Sequence, residues 1–257
     1  MSASSSVPPS VTAVIPTRLD STRFPGKALA AETGRPMILH VVDRARAASS
    51  VDRVIVTAPD PEIIRVAEEA GVEAIKTSFD HPNGTSRLAE VAERLSGEMP
   101  AEAILVNVQG DEPELDPTAI DAVVLALSDD SEADMATIAV PFGPDGDPTD
   151  PNQVKVVTGL DGRAIYFSRS PIPFDRDDAG ITPLRHVGLY AYRREFLPKF
   201  AGWPESPLER SERLEQLRVL EHGGRIAVAI HQSDGGGIDT PEQYAAFVAR
   251  WQASHRG

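Results

Sequence analysis

Short apolar runs rich in β-branched residues alternate with longer segments of helical period through the first 140 residues of the chain. Three runs are almost continuously apolar, namely VTAVI (11–15), RVIVT (53–57) and AILVNV (103–108), and VEAIK (72–76) is a weaker fourth. Strands that are covered by helices on both faces have this composition, and their alternation with helices is typical of βαβ units. The sequence therefore predicts a Rossmann-like α/β core.

The segments between these runs carry the signals of helices. One helical face contains Met37, Ile38, Val41, Val42 and Ala45. The pairs Asp60–Pro61 and Asp116–Pro117 each combine an N-cap residue with a proline, which the first helical position accepts. Gly71 follows EIIRVAEEA and predicts the end of a helix. We therefore expect helices to flank the sheet.

The pattern changes after residue 141. FGPDGDPTDPN (142–152) is a loop rich in Gly, Pro and Asp, and QVKVVTGLDGRAIYFS (153–168) predicts a hairpin that turns near Asp161 and Gly162. This segment indicates an antiparallel region added to the core.

Three later segments return to regular structure. We predict a strand over LRHVGLYAY (184–192), a helix over ERLEQLRVL (212–220) and a last strand over RIAVAI (225–230). A terminal helix is expected to begin at Pro241.

The composition excludes some functions. The formal net charge of −14 argues against a nucleic-acid-binding surface. A nucleotide stays open as a ligand, because a phosphate needs only a local group of donors. The chain has no cysteine, which excludes disulfides, thiolate metal ligands and thiol nucleophiles and fits the cytoplasm.

The first ten residues, MSASSSVPPS (1–10), lack both a basic segment and an apolar run, so we expect a flexible tail rather than a secretion signal. No apolar stretch approaches the roughly 18–20 residues that a membrane-spanning helix needs. We therefore expect no membrane partner.

The loop IPTRLDSTRFPGK (15–27) follows the first predicted strand, where open α/β sheets bind ligands. Arg18, Arg23 and Lys27 give it a local excess of positive charge, and Ser21 adds a hydroxyl, a combination suited to phosphates. The loop matches neither a Walker P-loop nor a dinucleotide fingerprint. On spacing alone, a solvated basic loop is an equally open interpretation.

Two aspartates are candidate metal ligands. Asp111 in VQGDEP (108–113) follows a predicted strand, and Asp239 in GGGIDTPE (235–242) precedes a predicted helix. Carboxylates there are suited to Mg²⁺ held against substrate phosphates. Simple turn chemistry at the first site, and a helix N-cap at Asp239 or Thr240, are the structural alternatives.

Eight segments in fixed order resemble the CMP-Kdo synthetase family, the 3-deoxy-manno-octulosonate (Kdo) cytidylyltransferases, over residues 11–244. They are IPTRLDSTRFPGK (15–27), DHPNGTSRLAEV (80–91), VNVQGDEP (106–113), DPNQVKVV (150–157), IYFSRSPIPFDR (165–176), LRHVGLYAY (184–192), SPLERSERLEQLR (206–218) and GIDTPE (237–242). The resemblance implies a nucleotide-diphospho-sugar transferase fold, with a mixed central sheet flanked by helices and an antiparallel subregion. It also implies a homodimer and Mg²⁺-dependent transfer of CMP from CTP to Kdo for lipopolysaccharide biosynthesis.

The resemblance also implies roles for individual residues. For CTP they are Arg18, Ser21, Arg23, Lys27, Asn83, Gly84, Arg87 and Gln109. Asp111 and Asp239 are the implied Mg²⁺ ligands and, with Arg18 and Lys27, the implied catalytic residues. The implied sugar-binding residues are Arg169, His186, Tyr190, Glu215 and Gln216.

Structural interpretations of the sugar-side residues stay open. His186 and Tyr190 share one face of a predicted strand and would otherwise be residues at the edge of the core. Glu215 and Gln216 lie on a predicted helix, where such residues are usually solvated.

The chain departs from the family pattern at two places. It has Asn83 in an Asn-Gly-Thr segment where the family usually has Ser-Gly-Thr, and Ala58–Pro59 where the family tends to have Thr-Asp. A related acid sugar (amino-Kdo or sialic acid) and a CTP-binding regulatory module without turnover are the alternative functions. Retention of both aspartates argues against the regulatory module.

The expected organisation is a tail (1–10) followed by one nucleotidyltransferase domain (11–257). Within it we expect a CTP-binding half (11–141), a sugar-binding and dimerisation subregion (142–235) and a return to the core (236–257).

Overall fold

The computed structural model describes residues 9–144, 146–177, 179–232 and 236–255. Most of the predicted tail, residues 1–10, lies outside the described residues, and so does the predicted boundary at residue 235. None of the helices in the described ranges combines the length and the apolar composition that crossing a bilayer requires.

Nine strands of the described residues form one mixed sheet. Their bounds are β1 Val11–Pro16, β2 Arg53–Ala58, β3 Glu73–Lys76, β4 Ile104–Asn107, β5 Met135–Pro141, β6 Lys155–Thr158, β7 Ala164–Ser168, β8 Leu184–Arg193 and β9 Ile226–Ile230. The main path runs β3-β2-β1-β4-β8-β5-β9, and the β6–β7 hairpin is attached to β8. Strands β1 to β4 pair in parallel, whereas β8 is antiparallel to both β4 and β5. The predicted α/β class and mixed sheet are confirmed.

Helices cover both faces of this sheet. Their bounds are α1 Met37–Ala47, α2 Pro61–Glu69, α3 Gly84–Arg94, α4 Pro117–Asp129, α5 Phe196–Gly202, α6 Pro207–Glu212, α7 Gln216–Glu221 and α8 Pro241–Ser254. Ala13 and Ile15 of β1 pack in one hydrophobic cluster with α1, α2 and α4. Val14 packs in a second cluster with α3, α5 and α7. Successive residues of a strand point to opposite faces, so the two clusters lie on the two sides of the sheet.

The predicted strands and the hairpin are confirmed, and two glycines explain the turns. Gly162, at φ +77°, lies between β6 and β7, and Gly71, at φ +68°, follows α2. Glycine adopts this left-handed conformation without the steric cost that other residues incur.

The single helix predicted over residues 212–220 is wrong. The structure has two short helices, α6 and α7, because Arg213 adopts a left-handed backbone conformation at φ +55°. Leu214 after this break is buried in the second hydrophobic cluster. The break also carries Glu215 to the N-terminus of α3, where its carboxylate is hydrogen-bonded.

The predicted N-caps have different outcomes. Asp116 caps α4, because its carboxylate accepts the Thr118 backbone N–H at 3.0 Å. The Asp60 side chain does not cap α2 and instead accepts the Leu19 backbone N–H at 3.0 Å. Asp60 therefore fixes the loop after β1, which places that loop beside the end of β2.

Candidate active site

The loop after β1 is held at both of its ends. The Thr17 N–H donates to the Thr57 carbonyl at 2.9 Å, which continues the contact between β1 and β2. The Gly26 N–H donates to the Leu19 carbonyl at 2.9 Å and closes the loop on itself. Gly26 has φ +73° and precedes a 3-10 helix that begins at Lys27. The backbone thus sets where the basic side chains of this loop lie.

Lys27 lies between the two candidate metal carboxylates. Its Nζ is 2.7 Å from Asp111 Oδ2, 3.3 Å from Asp239 Oδ1 and 2.8 Å from the Ile238 carbonyl oxygen. Arg23 Nη2 is 2.9 Å from the same Asp239 oxygen. We call Arg23, Lys27, Asp111 and Asp239 the charge cluster. It joins three segments that are far apart in the sequence, so Arg23 and Lys27 are ion-paired rather than simply solvated.

Asp239 is available for this cluster because its neighbour caps α8. The Thr240 side chain accepts the Gln243 N–H, and the Gln243 side chain accepts the Thr240 N–H at 3.0 Å, which is a capping box. The Ile238 N–H donates to the Asp111 carbonyl at 2.8 Å and holds the two segments together. Thr240, not Asp239, is therefore the N-cap.

Two adjoining cavities contain all eight residues predicted to bind CTP. The larger, of about 320 Å³, is lined by Arg18, Ser21, Arg23, Lys27 and Gln109 together with Asp111 and Asp239. The smaller, of about 150 Å³, is lined by Asn83, Gly84 and Arg87. Arg18 and Gln109 line both cavities. The fold thus brings together residues from the end of β1, the end of β4 and the start of α3.

Gly110 allows two of these loops to touch. A Cβ atom built there would lie 2.8 Å from the Pro16 carbonyl oxygen and 2.9 Å from Thr17 Cβ. Neither contact leaves room for a side chain, so only glycine fits beside Asp111 without a shift of the backbone.

Arg87 forms part of the wall of the smaller cavity. It is buried, and its Nη1 donates to Thr77 Oγ1 at 2.5 Å and to the Ser78 carbonyl at 3.0 Å. Burial lowers the pKa of the Arg87 guanidinium, although it stays charged at neutral pH. Gln109 Nε2 donates to the Gly188 carbonyl at 3.3 Å and connects the two cavities to β8.

His186 and Tyr190 lie on one face of β8. The two rings are 5.5 Å apart, and the His186 ring also contacts Phe167 edge-on at 4.9 Å. Burial lowers the pKa of His186 to about 3, so its imidazole is neutral at physiological pH. The Thr137 hydroxyl lies 2.9 Å from both His186 Nε2 and the Leu189 carbonyl oxygen. Its single hydrogen goes to that carbonyl, so Nε2–H donates to Thr137 and Nδ1 remains an acceptor.

Glu215 and Gln216 are not solvated residues of a helix surface. Glu215 accepts hydrogen bonds from Asn83 Nδ2 at 2.6 Å, Thr85 Oγ1 at 2.7 Å and Arg218 Nη2 at 3.1 Å. Burial raises the pKa of the Glu215 carboxyl. Gln216 is only 4% exposed, and its Nε2 has no hydrogen-bond partner among the described residues. A buried amide without a partner is costly, so Gln216 is suited to a ligand.

Arg169 is the predicted sugar residue with the most occupied donors. Its Nε donates to the Glu212 carbonyl at 2.6 Å and its Nη1 to the Pro151 carbonyl at 2.8 Å. Its backbone N–H also donates to the Glu212 carboxylate at 2.9 Å. Arg169 thus joins the end of β7 to α6 and to the loop before β6, and it lies outside both cavities described above.

Two residues that the sequence analysis did not select lie in the same region. Thr85 donates to Glu215, and the buried Asn107 has a side-chain oxygen without a partner in the described part of the chain. A signal for Asn107 was present, since it is a polar residue near the end of an otherwise apolar strand. For Thr85 there was no such signal, because its contact depends on a residue 130 positions away.

Comparison with known proteins matches the sequence and fold of this chain to one family. A family model described as Cytidylyltransferase matches residues 12–226. The 3-deoxy-manno-octulosonate cytidylyltransferase of Syntrophotalea carbinolica is 47% identical and covers 96% of this chain and 99% of its own length. The enzyme of the same name from Solibacter usitatus is 45% identical and covers 96% and 97%.

Solved structures agree with these relatives. A CMP:2-keto-3-deoxy-manno-octonic acid synthetase complexed with CTP aligns with a TM-score of 0.88 and 37% identity, over 95% of this chain and 99% of its own. A 4-diphosphocytidyl-2C-methyl-D-erythritol synthase shares the fold, with a TM-score of 0.64 at 13% identity. The resemblance carried by the eight motifs is thus confirmed, and the chain belongs to the 3-deoxy-manno-octulosonate cytidylyltransferase family.

Proposed function

We propose that the protein transfers CMP from CTP to Kdo and releases pyrophosphate, with Mg²⁺ as its cofactor. The observation that carries this proposal is that all eight expected CTP residues line two joined cavities that also contain Asp111 and Asp239. The names of its relatives give CTP-dependent transfer to Kdo as the reaction. CMP-Kdo would then serve lipopolysaccharide biosynthesis in the cytoplasm, a reducing compartment that suits a chain without cysteine.

The larger cavity is suited to the triphosphate of CTP. Arg18, Arg23 and Lys27 line it with fixed positive charges, and Ser21 adds a hydroxyl. Charge-assisted hydrogen bonds from such groups are among the strongest that bind phosphates. In this role Arg23 and Lys27 leave the aspartates, to which they are now paired, and turn to the phosphates.

Asp111 and Asp239 fit a divalent cation. They come from different segments, yet they approach one cation, the Lys27 ammonium, within 2.7 and 3.3 Å. The described residues contain no group of three or more His, Cys, Asp or Glu side chains that could hold a metal. Mg²⁺ suits two carboxylates, because it usually completes its shell with substrate phosphates and water. When bound, it offsets phosphate charge and polarises the α-phosphoryl group.

The smaller cavity is suited to the cytidine. Its polar lining includes Thr17, Arg18, Arg87 and the Gln109 amide, and Gly84 leaves the start of α3 open. Cytosine presents a carbonyl oxygen, a ring nitrogen acceptor and an amino donor, which backbone and amide groups can bind.

The sugar side is suited to a polyhydroxylated acid. Kdo carries a carboxylate, for which an arginine such as Arg169 is a natural partner. His186, Tyr190 and Glu215 offer further polar groups for hydroxyls, and Gln216 offers an amide donor that has no partner among the described residues. Arg169 binds the sugar carboxylate by exchanging the Pro151 carbonyl for it.

The reaction needs no covalent intermediate on the protein. The anomeric hydroxyl oxygen of Kdo attacks the α-phosphorus and passes its proton to solvent water, while the bond from that phosphorus to the oxygen bridging to the β-phosphate breaks. Pyrophosphate carries away the electron pair. Arg18, Arg23 and Lys27 hold the leaving phosphates, so catalysis rests on positioning and electrostatic stabilisation.

Exposed apolar side chains support a homodimer. Ile165, Phe174 and Ile181 are each at least 60% exposed, and all belong to the expected dimerisation subregion. Large exposed apolar side chains often mark a protein interface when they form one patch. Light scattering coupled to size exclusion tests this proposal, and a monomer at micromolar concentration would contradict it.

A pyrophosphate-release assay with purified protein, CTP and Mg²⁺ tests the proposed function against a panel of acid sugars. We expect Kdo to support the highest rate and UTP and ATP to replace CTP poorly. Activity with amino-Kdo or sialic acid but not with Kdo would overturn the sugar assignment. Release with none of them would overturn the reaction class.

A further inference from the structure

Both ends of the Asn83 side-chain amide are occupied. Its Oδ1 accepts the Ser86 backbone N–H at 2.9 Å and caps α3, while its Nδ2 donates to Glu215 Oε1 at 2.6 Å. Each end keeps one further hydrogen-bonding site, but the two bonds fix the orientation of the amide and direct one N–H at Glu215. The contact also joins two residues 132 positions apart.

Glu215 is held in one orientation by donors on two sides. Thr85 Oγ1 donates to Oε2 at 2.7 Å, and Arg218 Nη2 donates to Oε1 at 3.1 Å. The Arg218 side chain is itself held in place. Its Nε and Nη2 each donate to Glu209 at 2.9 Å, and its guanidinium lies over the Phe200 ring, so Arg218 cannot follow a movement of Glu215. Asn83 and Thr85 therefore supply the donors from the nucleotide side.

The Asn83–Glu215 contact crosses from one substrate side to the other. Asn83 lines the smaller cavity at the start of α3, and Glu215 is the N-cap residue of α7. We propose that Asn83 is a positioning residue for sugar recognition, because its amide fixes the Glu215 carboxylate rather than binding the cytosine. This inference rests on the proposed function, in which Glu215 binds a sugar hydroxyl.

The contact with Glu215 is made by Asn83, one of the two places at which the sequence analysis found a departure from the family pattern. A serine at this position would also cap the helix well, so the cap alone does not require Asn83. The serine hydroxyl is shorter than the asparagine side chain and offers one hydrogen, whereas the asparagine amide accepts and donates at different atoms. Asn83 therefore adds a donor for Glu215 without loss of the cap.

Asn83→Asp is the sharpest test, because it keeps the shape and the cap but places a carboxylate oxygen 2.6 Å from Glu215 Oε1. We expect the KM for Kdo to rise about tenfold or more, the scale of one charge-assisted hydrogen bond. The calorimetric Kd for CTP should change by less than about threefold. Asn83→Ser, which is uncharged and keeps the cap, should show the same split with a smaller rise.

Ser86→Ala is the matched control. Ser86 Oγ donates to the Asn83 carbonyl at 3.0 Å, so its loss perturbs the start of α3 without removing the Glu215 contact. We expect both the KM for Kdo and the Kd for CTP to stay at wild-type values. If the KM for Kdo rose as much as in Asn83→Asp, any perturbation of the start of α3 would have this effect, and the proposal would be overturned.

Glu215→Gln provides a rescue. In the double variant the amide introduced at position 215 can donate to the carboxylate introduced at position 83, which restores the contact with its roles reversed. We expect Asn83→Asp to raise the KM for Kdo by a smaller factor in the Glu215→Gln background than in the wild type. Independent, multiplicative effects would overturn the proposal, and so would a loss of CTP affinity as large as the loss of sugar affinity.

The Glu215 pKa separates this inference from the proposed function. Its value, followed by NMR of ¹³C-labelled glutamate, does not depend on turnover, and we expect it to rise in Asn83→Asp. An unchanged pKa would overturn the Asn83 contact itself. Failure of the wild-type protein to use Kdo would instead overturn the function.

Discussion

The proposed phosphate side and the proposed sugar side of the site are held by different kinds of contact. On the phosphate side, the charge cluster pairs opposite charges at a water-accessible wall, where the Arg23 and Asp239 side chains are 66% and 37% exposed. On the sugar side, His186 is neutral, and Glu215 is fixed by donors from two helices.

This difference determines how each side responds to its ligand. Exposed ion pairs contribute little stability, so Arg23 can exchange the Asp239 carboxylate for a phosphate at low cost. Lys27 is only 14% exposed, and a phosphate that replaces a carboxylate beside it keeps its ammonium paired. Several hydrogen bonds at once hold the Glu215 carboxylate in place before binding, which favours selection by geometry. We therefore expect CTP binding to depend strongly on salt and metal, and sugar binding to depend more on the precise placement of side chains.

Asp111→Asn should have the largest effect. It removes one of the two carboxylates of the expected metal site, and we expect the rate of pyrophosphate release to fall by about 100-fold to 1,000-fold. The melting temperature should change little, because Asp111 is partly exposed at a cavity wall. Glu114→Gln, a nearby carboxylate paired with Arg250, serves as the control and should stay active. Near-wild-type release by Asp111→Asn would remove it from the metal site.

Arg23→Ala should separate phosphate binding from metal binding. We expect the calorimetric Kd for CTP to rise by about 10-fold to 100-fold, the range for lost bonds to a charged group. Binding of Mn²⁺ without nucleotide, followed by electron paramagnetic resonance, should stay equal or strengthen, because Arg23 no longer competes for Asp239. Weaker Mn²⁺ binding together with unchanged CTP binding would contradict the exchange of partners.

Arg169→Ala should affect the sugar side alone. We expect the KM for Kdo to rise about tenfold while the Kd for CTP stays constant. Because Arg169 also bonds the Glu212 and Pro151 carbonyls, some loss of thermal stability is expected as well. Arg210→Ala, whose exposed side chain is only loosely paired with Glu205, is the control for charge. An unchanged dependence on Kdo would exclude Arg169 from the sugar site.

The smallest expected effect is on the pH dependence of stability, through the titration of His186, which is also a proposed sugar-binding residue. Its folded pKa of about 3 lies below the ordinary value of 6.5, so the unfolded chain binds more protons between these values. The neutral His186 side chain therefore contributes fully to the free energy of unfolding above pH 6.5. This contribution is lost as the pH falls towards about 3, at up to about 1.4 kcal/mol per pH unit. Chemical unfolding between pH 7 and 5 should therefore be less pH-dependent in His186→Gln than in the wild type. The exposed His222→Gln is the control, and equal slopes in all three proteins would contradict the burial of His186.

The sequence predicted the fold and the phosphate side better than the sugar side. Apolar runs predicted the sheet because strands covered on both faces are apolar at almost every position. The basic loop and Asp111 follow strands that end at one edge, so their meeting could be foreseen. The family, fold class and enzyme class are confirmed. The roles of individual site residues and the homodimer stay predictions.

The features that the sequence analysis left open, missed or predicted wrongly have local physical causes. The capping box of Thr240 and Gln243 matches a known sequence signature, so the choice between Asp239 and Thr240 could have been made from sequence. The break at Arg213 could not have been predicted from sequence, because the left-handed conformation of an arginine does not change the helical periodicity of the apolar residues. The Asn83–Glu215 contact likewise depends on the tertiary fold.

The most direct test of the central claim is whether the α-phosphate of CTP becomes bonded to Kdo. Phosphorus NMR of a reaction with CTP, Mg²⁺ and Kdo labelled with ¹³C at its anomeric carbon distinguishes transfer from hydrolysis. We predict a new phosphodiester signal that is split by coupling to that carbon and grows with pyrophosphate. Pyrophosphate accompanied only by uncoupled CMP, or no change in CTP, would contradict the account.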